Sequence, residues 1–101
     1  MLTSKQRAYL RSIASNEDTI LMLGKGGMSD DIIKQADDAL TARELIKGKA
    51  LETSPLSARE AAEEIANATN SEVVQVVGRK FVLYRENKDD KKIVLPKASK
   101  K

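Results

Sequence analysis

Cysteine and histidine are both missing from this chain of 101 residues, and each absence removes a branch of chemistry. Without cysteine there are no disulfides and no thiolate metal ligands, which fits a reducing compartment. Without either residue, zinc sites of the usual donors, Ser-His triads and Cys-His nucleophiles cannot be assembled. An enzyme made from this chain would have to run on carboxylates, Lys, Tyr or Ser/Thr alone. Aromatic residues are scarce as well, with one Phe, two Tyr and no Trp. That is too few for base stacking to be the main way of holding a nucleic acid, and too few for the aromatic sheet of an RRM. No apolar run is long enough to cross a bilayer and no signal-peptide core is present, so a cytoplasmic protein without membrane contact is expected.

What remains describes one modest globular domain. Hydrophobic content of 41% alongside 33% charge separates the chain from disordered sequences. The net charge of +3 is unevenly divided. From Arg79 to Lys101 nine basic residues face three acidic ones, a net of +6, which leaves −3 for residues 1–78. Such segregation suggests a face or tail that seeks polyanions, or else a solvated lysine tail.

The most informative motif is Gly24-Lys25-Gly26-Gly27, placed between an apolar stretch, Thr19 to Leu23, and a helix that Ser29 can cap. Glycines around a lysine let the backbone approach a partner with no Cβ in the way. Amides near a helix start favour an anionic oxygen. Asp30 and Asp31 already occupy the first turn of that helix, so phosphate contacts should come from the turn's own amides and from Lys25. The plainer alternative is a strand-to-helix turn that needs positive φ.

Local signals divide the rest of the chain. Thr3 and Gln6 form a capping box for a first helix with Leu2, Gln6, Tyr9, Leu10 and Ile13 at helical spacing. Lys5 lies beside them, and Arg7 and Arg11 are placed on the outward side. Thr19 to Leu23 reads as a buried strand. A second helix follows Ser29, with Ile32, Ile33, Ala36, Ala39 and Leu40 inward. Glu44 to Ala50 reads as a second strand with Leu45, Lys47 and Lys49 on one side; the lysines either protect a sheet edge or meet phosphates. Ser57 and Glu60 cap a third helix, Ala58 to about Thr69, whose small inner residues imply close approach to a sheet. Glu72 to Val77, resembling a central strand, and Lys80 to Arg85 form a hairpin across Gly78-Arg79. Glu86 to Lys91 should be loose, Ile93-Val94-Leu95 a short edge segment before Pro96, and residues 97–101 a basic, flexible tail. Tyr84 is either a core residue with a hydrogen-bonded hydroxyl or a stacking platform.

Catalytic readings fare poorly. A P-loop fails because Lys25 is followed by Gly26 where Ser or Thr is required. Neighbouring carboxylates such as Asp30-Asp31, Asp37-Asp38 and Glu63-Glu64 diverge by about 100° on a helix and do not converge on a substrate.

Taken in order, Leu2-Thr3-Ser4-Lys5-Gln6, Leu23-Gly24-Lys25-Gly26-Gly27, Glu44-Leu45-Ile46-Lys47, Val74-Gln75-Val76-Val77-Gly78, Leu83-Tyr84-Arg85 and Ile93-Val94-Leu95-Pro96 resemble the CRM domain family, in particular its bacterial single-domain YhbY-type members. The likeness runs from Leu2 to Pro96. It implies a fold similar to the C-terminal domain of translation initiation factor three, and binding to ribosomal RNA in precursors of the large subunit. It also places an RNA surface on Gly24, Lys25, Gly26 and Gly27, on Lys5, Arg7 and Arg11 of the first helix, and on Lys47. Gly48 departs from the β-branched residue usual there, so a weaker second strand is expected.

The expectations are then these. The fold is α/β, an α+β two-layer domain over residues 1–96 in the order α-β-α-β-α-β-β with a mixed four-stranded sheet. The RNA-binding set is Gly24, Lys25, Gly26, Gly27, Lys5, Arg7, Arg11, Lys47, Lys49, Arg79, Lys80 and Arg85. No catalytic residue, metal or cofactor is expected, and the protein should act as a monomer. A protein-docking module on ribosomal proteins or an assembly factor, using the acidic faces of the second and third helices, is the alternative.

Overall fold

Each helix begins where a side chain satisfies its free amides. In the computed structural model, which describes residues 2–87, 93 and 95, Thr3 caps α1 (Ser4–Ala14) in a reciprocal box: its hydroxyl accepts from the Gln6 amide at 3.1 Å, and the Gln6 side chain accepts from the Thr3 amide at 3.0 Å. Ser57 and Glu60 repeat the device at α3 (Ala58–Thr69), and Ser29 alone caps α2 (Asp30–Arg43). Between them run β1 (Leu21–Leu23) and β2 (Leu45–Ala50), followed by the hairpin β3 (Glu72–Val77) and β4 (Lys80–Tyr84). The element order and the mixed four-stranded sheet are those expected from the sequence.

Strand order is β1-β2-β4-β3, with β1 and β2 parallel and the remaining pairs antiparallel. The sheet therefore separates two clusters. Leu21, Leu23, Ile46, Phe81 and Leu83 meet α2 and α3 on one face, while Leu45, Val74, Val82 and Tyr84 meet Leu10 and Ala14 of α1 on the other. This differs from a two-layer arrangement, because α1 lies across the sheet from the other helices. Leu10 and Ala14, one turn apart, have their own apolar surface to cover. Tyr9, expected inward, is 41% exposed because the stripe centres on Leu10 and Ala14 instead.

Three strand expectations change. β1 is shorter than Thr19 to Leu23 and forms an edge, which leaves Met22 56% exposed. β3, read as central, is the opposite edge. β2 is interior and continuous despite Gly48, which sits directly opposite Phe81 on β4. A Cβ at Gly48 would overlap the Phe81 ring. The ring thus occupies the volume the glycine leaves open, and the strand is filled by its neighbour.

Glu44 does not begin β2. It ends α2 in a positive-φ conformation (φ 66°), is fully buried, and its carboxylate accepts from the amides of Asn87 and Ile93, each at 2.6 Å. The segment after β4 is anchored there, with Ile93 and Leu95 packed on the α1-side cluster. Positions 88–92, 94 and 96–101, which include most of the loose segment and the basic tail expected above, lie outside the described residues.

Candidate nucleic-acid interface

Strand register brings the cations together. Lys47 and Lys49 alternate with the core residues of β2 and so point to the α1 side. Because β2 is paired on both sides, they protect no edge. Lys49 stands opposite Lys80 on β4, Met22 of β1 flanks Lys49, and Val77 of β3 flanks Lys80. This row, Met22-Lys49-Lys80-Val77, crosses the sheet at the end where β1 runs into the glycine turn. Like charges directly opposed on neighbouring strands destabilise a sheet, and neither lysine side chain has an ion pair or hydrogen bond among the described residues. Lys47 lies further along β2, and its ammonium donates to the Ala14 carbonyl at the end of α1 at 3.3 Å. Arg11 projects from the same half of that helix and is exposed.

The turn itself is tight: the Gly27 amide donates to the Gly24 carbonyl at 2.9 Å. Its glycines differ in what they do. Gly27 takes φ +65°, and a Cβ there would come within 2.8 Å of Pro55 Cγ, so the fold demands glycine. Gly26 has a φ outside the left-handed region and nothing within 4 Å of where a Cβ would stand. The amides of Lys25 and Gly26 make no hydrogen bond among the described residues, and Lys25 is exposed. The turn therefore presents two amides, an ammonium and a bare Cα. The start of α2, by contrast, is already occupied by the Ser29 cap and two aspartates.

Of the other expected site residues, Arg7, Arg85 and Lys5 are placed away from the lysine row and Arg79 lies near it. Arg7 turns toward the sheet edge rather than outward: its Nη1 donates to the Val73 carbonyl at 2.6 Å, and its Nη2 lies 3.9 Å from the Glu72 carboxylate. It satisfies a carbonyl of edge strand β3. Arg85 points to the α2–α3 side, where it donates to the Asp37 carboxylate at 2.6 Å, the Asp37 and Thr69 carbonyls and the Thr41 hydroxyl. One guanidinium thus ties two helices to the sheet. Lys5 is exposed in the first turn of α1, about 9 Å along the axis from Arg11. Arg79 sits in the hairpin turn at the same sheet end as the lysine row and pairs with exposed Glu52 at 3.5 Å.

Tyr84 is a core residue, 4% exposed, and is no stacking platform. Its hydroxyl has no partner among the described residues, contrary to the hydrogen bond expected for it. Burial first, then the carboxylates of Glu44, Glu86 and Glu72, push its phenol up from 10.0 to about 12. Between those values the unfolded chain has lost a proton that the folded chain keeps, so the contribution of Tyr84 to stability is constant below pH 10 and falls from pH 10 to 12. Tyr84→Phe is expected to raise stability at pH 7 by about 1 kcal/mol by removing the unpaired hydroxyl. It should also flatten the alkaline decline in urea unfolding measured at pH 9 and pH 11.

No helix among the described residues is long and apolar enough to cross a membrane, and no group of three or more acidic side chains there is placed to hold a metal ion. Fold and site together define a class: a small single-domain α/β protein with a glycine turn at one sheet end and a cationic strip beside it. Within that class the chain belongs to the CRS1/YhbY (CRM) domain family, whose model matches residues 2–85. It is 44% identical to the probable RNA-binding protein YqeI of Bacillus subtilis over 96 residues, covering 95% of this chain and all of that one. An RNA-binding protein of Haemophilus influenzae is 30% identical over 95% of this chain and 96% of its own length. The solution structure of SAV1595 from Staphylococcus aureus, a hypothetical protein and candidate RNA binder, superposes with a TM-score of 0.78 at 51% identity, covering 95% of this chain and all of that one.

Proposed function

We propose that this protein is a non-catalytic, monomeric RNA-binding protein of the cytoplasm that holds ribosomal RNA of large-subunit precursors during ribosome assembly. The observation that carries the RNA reading is the opposed pair Lys49 and Lys80. The two lysines are paired in register across neighbouring strands, and neither side chain has a carboxylate partner among the described residues. Folding gains nothing from that placement, whereas successive phosphates of an RNA backbone laid along the row relieve the repulsion between the lysines. The relatives' names agree with it, and the ribosomal partner is what the family resemblance implies. In this reading the amides of Lys25 and Gly26 and the Lys25 ammonium clamp one stretch of sugar-phosphate backbone. Lys47, Lys49, Lys80 and Arg11 take the next, contacts that position the RNA rather than read its sequence. The protein-docking alternative loses ground because Asp37, Asp38 and Glu63 on α2 and α3 already face Arg85, Lys34 and Arg59.

The test is an anisotropy titration against large-subunit ribosomal RNA fragments, with duplex DNA as competitor, at two salt concentrations. Lys25→Glu should weaken binding tenfold or more, the loss of about one charge-assisted contact and its replacement by repulsion. Gly26→Val should also lose about tenfold in affinity while its unfolding midpoint is held or raised, since no contact in the fold opposes the side chain. Unchanged affinity in both variants would remove the turn from the interface. Binding that ignores salt, or that prefers DNA, would sink the RNA reading itself.

A further inference from the structure

Beside the lysine row the α1-side face opens into a groove of about 320 Å³ between the end of α1 and the β3–β4 hairpin. Arg11, Lys47 and Lys80 stand around it, Val77 and Val82 line it, and the Gln75 side chain enters it. No carboxylate contributes to the lining. Its volume lies at the lower end of small-molecule sites, about 300–1,000 Å³, which suits one nucleotide and no larger nucleic-acid element.

Two features go beyond what phosphate binding requires. The lining is largely apolar, and Val77 remains 59% exposed at the end of its strand. Phosphate needs cations and gains nothing from valine. The β3–β4 register shifts between Val73 and Gln75, so that Val74 packs beneath α1 and Gln75 follows it onto the same side. A bulge is a device that re-aims a side chain, and here it turns a carboxamide into the groove. The Gln75 side chain makes no hydrogen bond among the described residues. It offers both a donor and an acceptor, as the edge of a base requires and a phosphate does not. The phosphate side of the groove is ready as well: Lys47 is steadied by the Ala14 carbonyl, so its ammonium is already oriented on the rim.

We infer that this groove receives a single unpaired nucleotide of the bound RNA. The base lies on Val77 and Val82 with its edge on the Gln75 carboxamide, and its phosphate meets Lys47, Lys80 and Arg11. This rests on the RNA-binding reading and deepens it: a perfect duplex keeps its bases stacked and cannot fill the groove, whereas a bulged or looped-out nucleotide can.

Two RNA hairpins with the same stem, one fully paired and one carrying a single unpaired nucleotide, provide the test. They are titrated at one salt concentration against the wild type, Val77→Ser and Gln75→Ala, with the valine methyl signals followed by NMR. The bulged hairpin should bind about tenfold more tightly, the size of one hydrogen bond plus a modest apolar burial. It should also move the Val77 and Val82 methyl signals, and in both variants the affinity ratio should fall toward one. Equal affinity for the two hairpins with the methyls unmoved overturns the inference and leaves the RNA reading standing; the groove then fits an apolar side chain of a protein partner. A tenfold ratio kept in both variants places the unpaired nucleotide elsewhere and also overturns it. Binding of neither hairpin removes the RNA reading along with it.

Discussion

Gly48→Val is expected to cost about 3 kcal/mol or more, at or beyond the upper range for overpacking a core. A Cβ at this position stands 2.5 Å from Phe81 Cε1, and the ring is fully buried among Leu21, Ile46, Leu83 and the alanines of α3. Neither partner has room to retreat, because both belong to interior strands and Gly48 is paired on both sides, with Leu21 and with Phe81 itself. A domain of this size holds a margin of only about 5–15 kcal/mol, so the urea midpoint should move far enough for the loss to be unmistakable. The decisive comparison adds Phe81→Ala. That change alone should cost about 3–5 kcal/mol through the cavity it opens. In the double variant the valine fills part of the cavity, so the two losses should combine to clearly less than their sum. Additive losses would mean that the ring does not stand in for the missing side chain.

Replacing Lys47, Lys49 and Lys80 together by glutamine should move affinity and stability in opposite directions. If each lysine neutralises one phosphate, the slope of log affinity against log salt should shrink by about 2 to 3. Near 0.1 M salt that corresponds to a loss of roughly a hundredfold in RNA affinity. Stability should hold or rise by a few tenths of a kcal/mol, because the opposed pair Lys49 and Lys80 is relieved. A purely structural role would lower stability and leave the slope intact, so an unchanged slope would falsify the placement of RNA on this strip.

Several features were legible because they are local. The caps at Thr3, Ser29 and Ser57 bind amides three residues ahead, and α3 fell on Ala58–Thr69 with every expected inner residue buried. The hairpin was readable from two β-rich runs around Gly78-Arg79, and the glycine turn from its place between a strand and a helix. Misplaced residues depended on distant partners. Arg7 and Arg85 are cations by composition, but the Val73 carbonyl and Asp37 are 66 and 48 residues away along the chain. Glu44 resembles an ordinary strand-start residue until the amides of Asn87 and Ile93 meet its carboxylate. Gln75 and Val77 were not expected in the site because the alternation that would assign them to a face is broken by the bulge at Val73–Gln75.

By itself, the sequence determined the number and order of the elements, the helix starts, the lack of thiol and imidazole chemistry, and the glycine turn. These follow from side chains acting on their own backbone or from composition. Only the tertiary structure decided that β4 lies between β2 and β3, that α1 covers the face opposite α2 and α3, and that Lys49 and Lys80 oppose each other. Strand order and register are chosen by which apolar faces bury one another across long stretches of chain. The cationic strip is a consequence of that choice and is written in no local stretch of residues.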